Sequence, residues 1–573
     1  MSRPLLLSLA AAVLVAGCGD DRSPRAAATA AAPFCQRAME RVDAYVDSAR
    51  TASPAPDDPR FGGTAVVAGI AELVNGMNSL ATIDYGASQY HQFVNLMTLV
   101  RLDGDLEPTP WLAESWSVSD DGTEITFRLR DDVYWHDGEL TDARDVAFTF
   151  LRATDPETAF PNTSFWDHYV KGPDGVRVVD DFTVAFRLTP HAEFMDPWRA
   201  VGILPEHLLG EVPPTELASH PFGTVCPVGN GPFVFVSHRP RESWTFEANP
   251  AFPEGLGGRP FLERLVYRVI PDQTTLLTEL LTGSVDVYVS VRPDQASAVV
   301  EDADADLRAF DPREFTFVGW NTRRPQLADS RVRRAITLAT NRDAVVEVLL
   351  RGYGEVAESG VPPFHWAHDP DLEGPGFDPA AARRLLDEAG WRDRDADGVR
   401  ESVDGVPLTI SLVYNAGNQD RQTIAELMQA ELRSVGIDLT PLPLEPGEVA
   451  RRATDPTVRD FDGLVLAWVP EFKVDEKDLF HSDRADQPLA FSGLRDPQLD
   501  RLLDTLQLVV DREEARPLWH AYQRRISALQ PFTYFYYSRR LTGVSTRLQD
   551  VEMDFRGEYM NVQDWWIQPA RMP

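Results

Sequence analysis

Asp393, Asp395 and Asp397 alternate along a run that bends at Gly398, and Asp404 stands at its twelfth position. This is the opening of an EF-hand-type calcium loop, in which carboxylate oxygens gather round a hard cation and a glycine makes the sharp turn. The twelfth position lacks the usual glutamate, and Asp404-Gly405 announces a hairpin where a second helix is required. A solvated acidic turn is the better reading, with no metal expected. Residues 229–234, VGNGPF, look at first like a phosphate loop. Phe233 and Phe235, the turn-like SHRPRE, then Trp244 and Phe246 describe a hairpin instead. A phosphate loop needs a helix N-terminus to face the anion, so the glycines are read as a tight turn. The chain contains no H-E-x-x-H, G-x-S-x-G, C-x-x-C or G-x-x-x-x-G-K, and its histidines, His136 and His481 among them, read as packing or surface residues. An enzyme is not expected, and no cofactor is implied. Two aromatic stretches, Tyr85 to Tyr90 and Trp468 to Phe472, set apolar surface beside acceptors, the mixture found in ligand clefts.

Those residues must be positioned by elements that the patterning predicts. Ile125, Phe127 and Leu129 alternate with polar residues, as do Phe182, Val184, Phe186 and Leu188, which marks two half-buried strands. Between them Ala143, Val146, Ala147, Phe150 and Leu151 fall at helical spacing behind a Thr141 or Asp142 cap. Beyond residue 310 the pattern is α/β. Val332, Ala335, Ile336 and Ala339 form one helical face, and Val345, Val348 and Leu349 another that ends at Gly352. Asp378-Pro379 opens a third helix, with Ala382, Leu385, Leu386 and Ala389 facing inward and Gly390 ending it. Strand, helix and strand then succeed one another through Leu408–Leu412, Ile424–Leu432, Ile437–Leu439 and Leu464–Trp468, which predicts a parallel sheet. Ligands sit at the carboxyl ends of such strands, where Asn415 and Trp468 stand.

With 573 residues and 43% apolar content, the chain can bury more than one core. A formal charge of -34 repels phosphate backbones and anionic lipid surfaces, which argues against nucleic acid as a partner. Arg3, the apolar run from Leu5 to Ala16, and Leu14-Val15-Ala16-Gly17-Cys18 have the order of an export signal that is too short to span a bilayer. The small residues before Cys18 resemble a bacterial lipobox, which implies cleavage after residue 17 and acylation of Cys18. The alternative is an ordinary secretory signal cut within 26–32. Cys35 and Cys226 are then an even pair in an oxidising compartment. They are read either as a disulfide pinning the helical-looking stretch 35–49 to the body, or as two separate buried thiols. Residues 51–60, TASPAPDDPR, read as a linker.

The run LEPTPWLAESWSVSDDGTEITFRLRDDVYWHDGELTDARDVAFTF, residues 106–150, closely resembles the signature region of the family 5 extracellular solute-binding proteins. These are the oligopeptide-, dipeptide- and nickel-binding components of ABC importers. The resemblance continues through PVGNGPF, WNTRRPQLADSRVRRAITLATNRDAVVEVLLRGYG, FDPAAARRLLDEAGWRDRDADGV and AELMQAELRSVGIDL. It implies an α/β, two-lobed periplasmic-binding-protein clamp of the cluster C type with an extra domain in the first lobe. Its division here would be a signal peptide at 1–17 and a tether with a short helix at 18–60. Lobe I would be 61–95, 225–312 and 540–573, the inserted domain 96–224, and lobe II 313–539.

The resemblance also implies capture of peptides or peptide-like solutes and their delivery to membrane permease subunits. The protein would be a monomer on the periplasmic side of the cell envelope, held to a membrane only through its N-terminal lipid. Nickel chelates, haem, oligosaccharides and opines are the family's other ligand classes, and a tethered peptide sensor or chaperone without transport is a further alternative. In peptide-binding members a W-x-x-D-Y-P-D-P-like segment anchors the peptide amine. Here Trp468 matches, Glu471 takes the acidic position, and Lys473-Val474-Asp475 departs from the pattern. Glu471 or Asp475 is the expected amine anchor, with Tyr90, Asn415 and Trp468 completing the expected ligand surface.

Overall fold

The strand Ser243–Ala248 buries every second residue, Trp244, Phe246 and Ala248, which its alternating sequence demands of one face of a sheet. The computed structural model describes residues 24–82, 84–161, 170, 172–188, 195–311, 314–469, 476–509 and 511–568. In it, that strand belongs to a seven-stranded sheet. In spatial order the sheet runs Ala305–Phe310, Arg540–Ser545, Val287–Tyr288, Thr64–Gly69, Arg264–Val269, Ser243–Ala248 and Phe233–Arg239. Thr64–Gly69 is parallel to both its neighbours, and the remaining pairs are antiparallel.

A second sheet has six strands, in the order Gly354–Val356, Phe532–Ser538, Phe315–Trp320, Gly463–Trp468, Thr409–Asn415 and Asp438–Leu444. The parallel sheet expected here is only half of it. Thr409–Asn415 is parallel to both neighbours, whereas Phe315–Trp320 pairs antiparallel with Gly463–Trp468 and Phe532–Ser538. The difference has a topological cause: these antiparallel strands come from far along the chain, which local strand–helix–strand order does not register. Separate apolar clusters cover the two faces of this sheet, one built on Trp320, Ile336, Leu386 and Met428, the other on Phe317, Phe461, Leu503 and Tyr522.

A four-stranded antiparallel sheet carries the early strands, in the order Ala113–Val118, Glu124–Leu129, Thr183–Arg187 and Val176–Asp180. The helix Ala143–Thr154 lies over it, capped reciprocally by Asp142 and Asp145. The helix Pro24–Ala52 adds Ala38, Val42 and Val46 to the same core, and Cys35 is bonded to Cys226.

VGNGPF is a clasp between the passages into and out of this third unit. The Gly231 N–H donates to the Asn95 carbonyl at 2.9 Å, and the Asn230 side chain accepts from the Met97 N–H at 2.9 Å. A Cβ on Gly229 would stand 1.8 Å from the Asn95 carbonyl oxygen, so glycine is required for the approach. The Gly229, Gly231 and Phe233 N–H groups are spent on protein acceptors, as a structural reading expects.

The helical face expected from Val345, Val348 and Leu349 is interrupted. Residues Arg342–Val345 are α-helical, but Val346–Leu350 form a π turn, which rotates Val348 to 62% exposure while Val345 stays buried. Arg351, at φ 50°, takes the left-handed cap ahead of Gly352.

Candidate ligand site at the junction of the lobes

Two chain crossings join the seven- and six-stranded sheets. One runs from Phe310 to Phe315, the other from Ser538 to Arg540. Glu314 lies on the first and Arg540 begins the first strand after the second. Register brings the ends of the second sheet to the same place, because Phe315 pairs with Trp468 on one side and Tyr537 on the other. Asn415 ends the neighbouring parallel strand. The carboxyl ends of two strands and the crossing therefore share one edge, the position at which α/β sheets hold ligands.

Charged groups converge there from both lobes. From the first, Arg540 forms an ion pair with Glu558, a residue 1% exposed, and its guanidinium carbon lies 4.0 Å from the centre of the Tyr85 ring. The Tyr85 hydroxyl donates to Glu558 at 2.8 Å. Burial acts to lower the Arg540 pKa, but Glu558, Tyr85 and Glu314 outweigh it and hold the pKa above its ordinary value. From the second lobe, Arg421 in the first turn of the helix Gln419–Arg433 donates to the Asn415 side-chain oxygen at 2.6 Å. Burial lowers the Arg421 pKa, with Glu314 opposing. Glu314 remains solvent-accessible, yet the protein around it displaces enough water to push its pKa up, against the pull of Arg540 and Arg421. Two carboxylates and two guanidinium groups thus alternate across the junction, a pattern that complements a ligand carrying both an ammonium and a carboxylate.

The residues expected from sequence separate into three groups. Asn415 and Trp468 stand at the junction, Trp468 half-buried with its ring edge-on to Phe491 at 6.2 Å. Tyr90 does not, which corrects the expectation. It is 1% exposed in the core of the seven-stranded lobe, with its hydroxyl 3.1 Å from that of Tyr559 and its ring against Phe246 and Tyr267. The physical reason is helical phase. On Tyr85–Phe93 the first residue faces the junction, while Ala87, Tyr90 and Phe93 turn inward. Glu471, Asp475 and Cys18 lie outside the described residues. Glu314, Arg421, Arg540 and Glu558 were not expected.

At the acidic turn, the oxygens of Asp393, Asp395 and Asp397 group with Glu401, all within 4.8 Å, and Asp404 is not among them. Each aspartate accepts backbone N–H bonds of the turn itself, Asp393 from Ala396 and Gly398, Asp395 from Asp397, and Asp397 from Val399. His136 is a packing residue, buried and pushed down to about 4 by that burial, with one ring nitrogen 2.9 Å from the Gly231 carbonyl.

Comparison with known proteins decides what kind of molecule this is. Residues 107–486 match the model of the bacterial extracellular solute-binding proteins, family 5. The chain belongs to that family. It is 27% identical over 520 residues to the oligopeptide-binding protein AppA of Bacillus subtilis, covering 89% of this chain and 92% of AppA. A putative ABC transporter peptide-binding protein of Brucella ovis is 31% identical over 337 residues, 58% of this chain and 59% of that protein. The solved structure of Bacillus subtilis AppA in complex with a nonapeptide superposes with a TM-score of 0.74 at 26% identity, spanning 89% of this chain and all of that one. NikZ from Campylobacter jejuni in complex with Ni(L-His) gives 0.72 at 24% identity, over 88% and 99% of the two chains. The fold is the family 5 two-lobed clamp, and the family is one of extracellular binding proteins, not enzymes.

Proposed function

We propose that this family 5 protein is the capture component of an ABC importer and takes peptides or peptide-like solutes between its two lobes for delivery to a membrane permease. The observation that carries the ligand class is the alternation of Glu314 and Glu558 with Arg421 and Arg540 where the lobes meet. A peptide main chain is zwitterionic, and each end finds an opposite charge in such a set. The extended match to AppA, whose structure holds a nonapeptide, supports the same class. Trp468 and Asn415 supply packing and a polar contact, and Glu471 or Asp475 a further amine anchor.

In this reading the chain is made with a signal at 1–17 and is tethered outside the cytoplasm through a lipid on Cys18, as a monomer. Its units are lobe I (61–95, 225–312, 540–573), an inserted domain (96–224) and lobe II (313–539). Strand membership of the three sheets supports this division.

Native mass spectrometry of the body, residues 33–573, followed by denaturation, tests the ligand class. Co-purifying short peptides of mixed sequence are the expected result. A single metal chelate, sugar or haem would keep the clamp and discard the peptide reading.

A further inference from the structure

Arg512, Arg516, His520, Gln523 and Arg524 recur at intervals of three and four along the helix Arg512–Leu529, which places them in one stripe on its surface. The stripe grips residues 359–369 of the same lobe, a stretch that contains neither helix nor strand. Arg516 Nη1 donates to the Trp366 carbonyl at 3.0 Å. His520 Nε2 stands 3.1 Å from the His368 carbonyl, and since a carbonyl can only accept, that nitrogen carries the proton. Arg524 binds both oxygens of Asp369, whose side chain is sealed from solvent. Gln523 is at the centre of the grip and is itself fully buried. Its amide oxygen accepts from the Ser359 hydroxyl at 3.0 Å and the Asp369 N–H at 3.3 Å, and its nitrogen donates to the Ala367 carbonyl at 2.7 Å and the Trp519 carbonyl at 3.1 Å. Those are all the hydrogen bonds that a side-chain amide can make.

What the stripe holds in place faces the other lobe. Phe364 stands in the middle of the gripped stretch, with its ring 4.5 Å from that of Phe555 and the two planes 1° apart. The Tyr537 hydroxyl donates to the Ser359 carbonyl at 2.7 Å, and Tyr537 is the residue before the return crossing between the sheets. Arg512, the first member of the stripe, reaches the Leu106 carbonyl and Glu107. A stretch without a backbone ladder of its own depends on side-chain bonds for its shape, so the position of Phe364 is set by the stripe. We propose that Gln523 is a positioning residue for lobe closure, fixing residues 359–369 so that Phe364 meets Phe555 and acting on ligand affinity through that contact. The inference rests on the capture reading, in which the lobes close over the ligand.

The test is a double-mutant cycle on the soluble body, residues 33–573, with the peptides that denaturation releases from the native protein as the probe. Gln523→Leu and Phe364→Ala should each weaken affinity roughly two- to thirteenfold, the factor that loss of an aromatic pair converts to, and the double variant should lose no more than the larger single loss. Losses that multiply in the double variant overturn the proposal, as does native affinity in a Gln523→Leu protein that merely melts earlier. If Gln523→Leu fails to fold, Gln523→Glu decides. Its carboxylate keeps the acceptor and the length of the side chain but cannot donate to the Ala367 carbonyl, so affinity relative to the native protein should fall at neutral pH and return in mild acid, where the carboxyl regains a proton. That response should disappear in the Phe364→Ala background, and its persistence there overturns the proposal. If the native protein binds none of the released peptides, the peptide reading fails by itself and small-angle scattering from the ligand-free proteins takes over. Gln523→Leu and Phe364→Ala should then open the clamp to the same extent and no further when combined. Opening by Phe364→Ala alone overturns the proposal.

Discussion

Arg540 ties three separate parts of the chain together, pairing with Glu558 of the C-terminal segment and lying 4.0 Å above the Tyr85 ring at the head of the first-lobe helix, one residue after the return crossing. Glu558 is the costly member, because a buried carboxylate deprived of its cation keeps its desolvation penalty. Arg540→Met is expected to destabilise the protein by about 3–5 kcal/mol at neutral pH, and Arg540→Met with Glu558→Gln to recover most of that loss. Urea unfolding of the two variants measures this. A single-variant loss near zero would mean that the pair is solvated and does not organise the junction.

Glu314 links ligand capture to protons. Its carboxyl is raised above the ordinary 4.5 by the water that the surrounding protein displaces, so the folded protein holds the proton more tightly than the unfolded chain does. The sign follows: stability from this group is fullest below the ordinary value and is lost as pH rises through the raised one. Glu314→Gln should flatten that part of the stability profile. An ammonium group arriving beside Glu314 should lower its pKa and release a proton. Calorimetry of peptide binding in buffers of different ionisation enthalpy, repeated from mildly acidic to neutral pH, should therefore report proton release by the native protein at the acidic end. The same release from Glu314→Gln would remove Glu314 from the amine site.

How much of this was legible in the sequence depends on how local each signal is. Asp142 and Asp378 cap the helices they were expected to cap, and Ile125, Phe127 and Leu129 are buried in alternation, because caps and strand faces are written within a few residues. The π turn at Val346–Leu350 is invisible to a 3.6-residue period, and Tyr90 belongs to the core because five residues, about 140° of helical rotation, turn it away from the face that Tyr85 occupies. Glu314, Arg421, Arg540 and Glu558 meet from four remote segments, in a chain with too many charges for any one to stand out. One signal was available: Glu314 and Arg540 flank the expected lobe boundaries, where a clamp must present its floor.

The disulfide is expected to be structural. Cys35 and Cys226 are 191 residues apart, so their bond removes much conformational freedom from the unfolded chain while holding the helix Pro24–Ala52 on the four-stranded unit. Reduction, or Cys35→Ala with Cys226→Ala, should cost about 2–5 kcal/mol and lower Tm. Peptide affinity should change little, since neither cysteine borders the junction. A variant with unaltered Tm but weakened binding would reverse this assignment.

The lobes also meet away from the charged floor. Phe364 of the second lobe stacks face to face on Phe555, with ring centres 4.5 Å apart, and Arg512 pairs with Glu107 at 2.7 Å while donating to the Leu106 carbonyl. A clamp that opened would break these contacts, so they are expected to bias it toward closure before any ligand adds its own contacts. The aromatic pair is worth about 0.5–1.5 kcal/mol beyond its area, and the exposed ion pair at most about 1 kcal/mol. Phe555→Ala should therefore open the ligand-free protein measurably and weaken ligand affinity roughly two- to thirteenfold, the factor those energies convert to. Arg512→Ala should do less, and its effect should vanish in high salt. Small-angle X-ray scattering with and without peptide measures both. An unchanged radius of gyration in ligand-free Phe555→Ala, with native affinity, would show that closure is set at the crossings and not by these contacts.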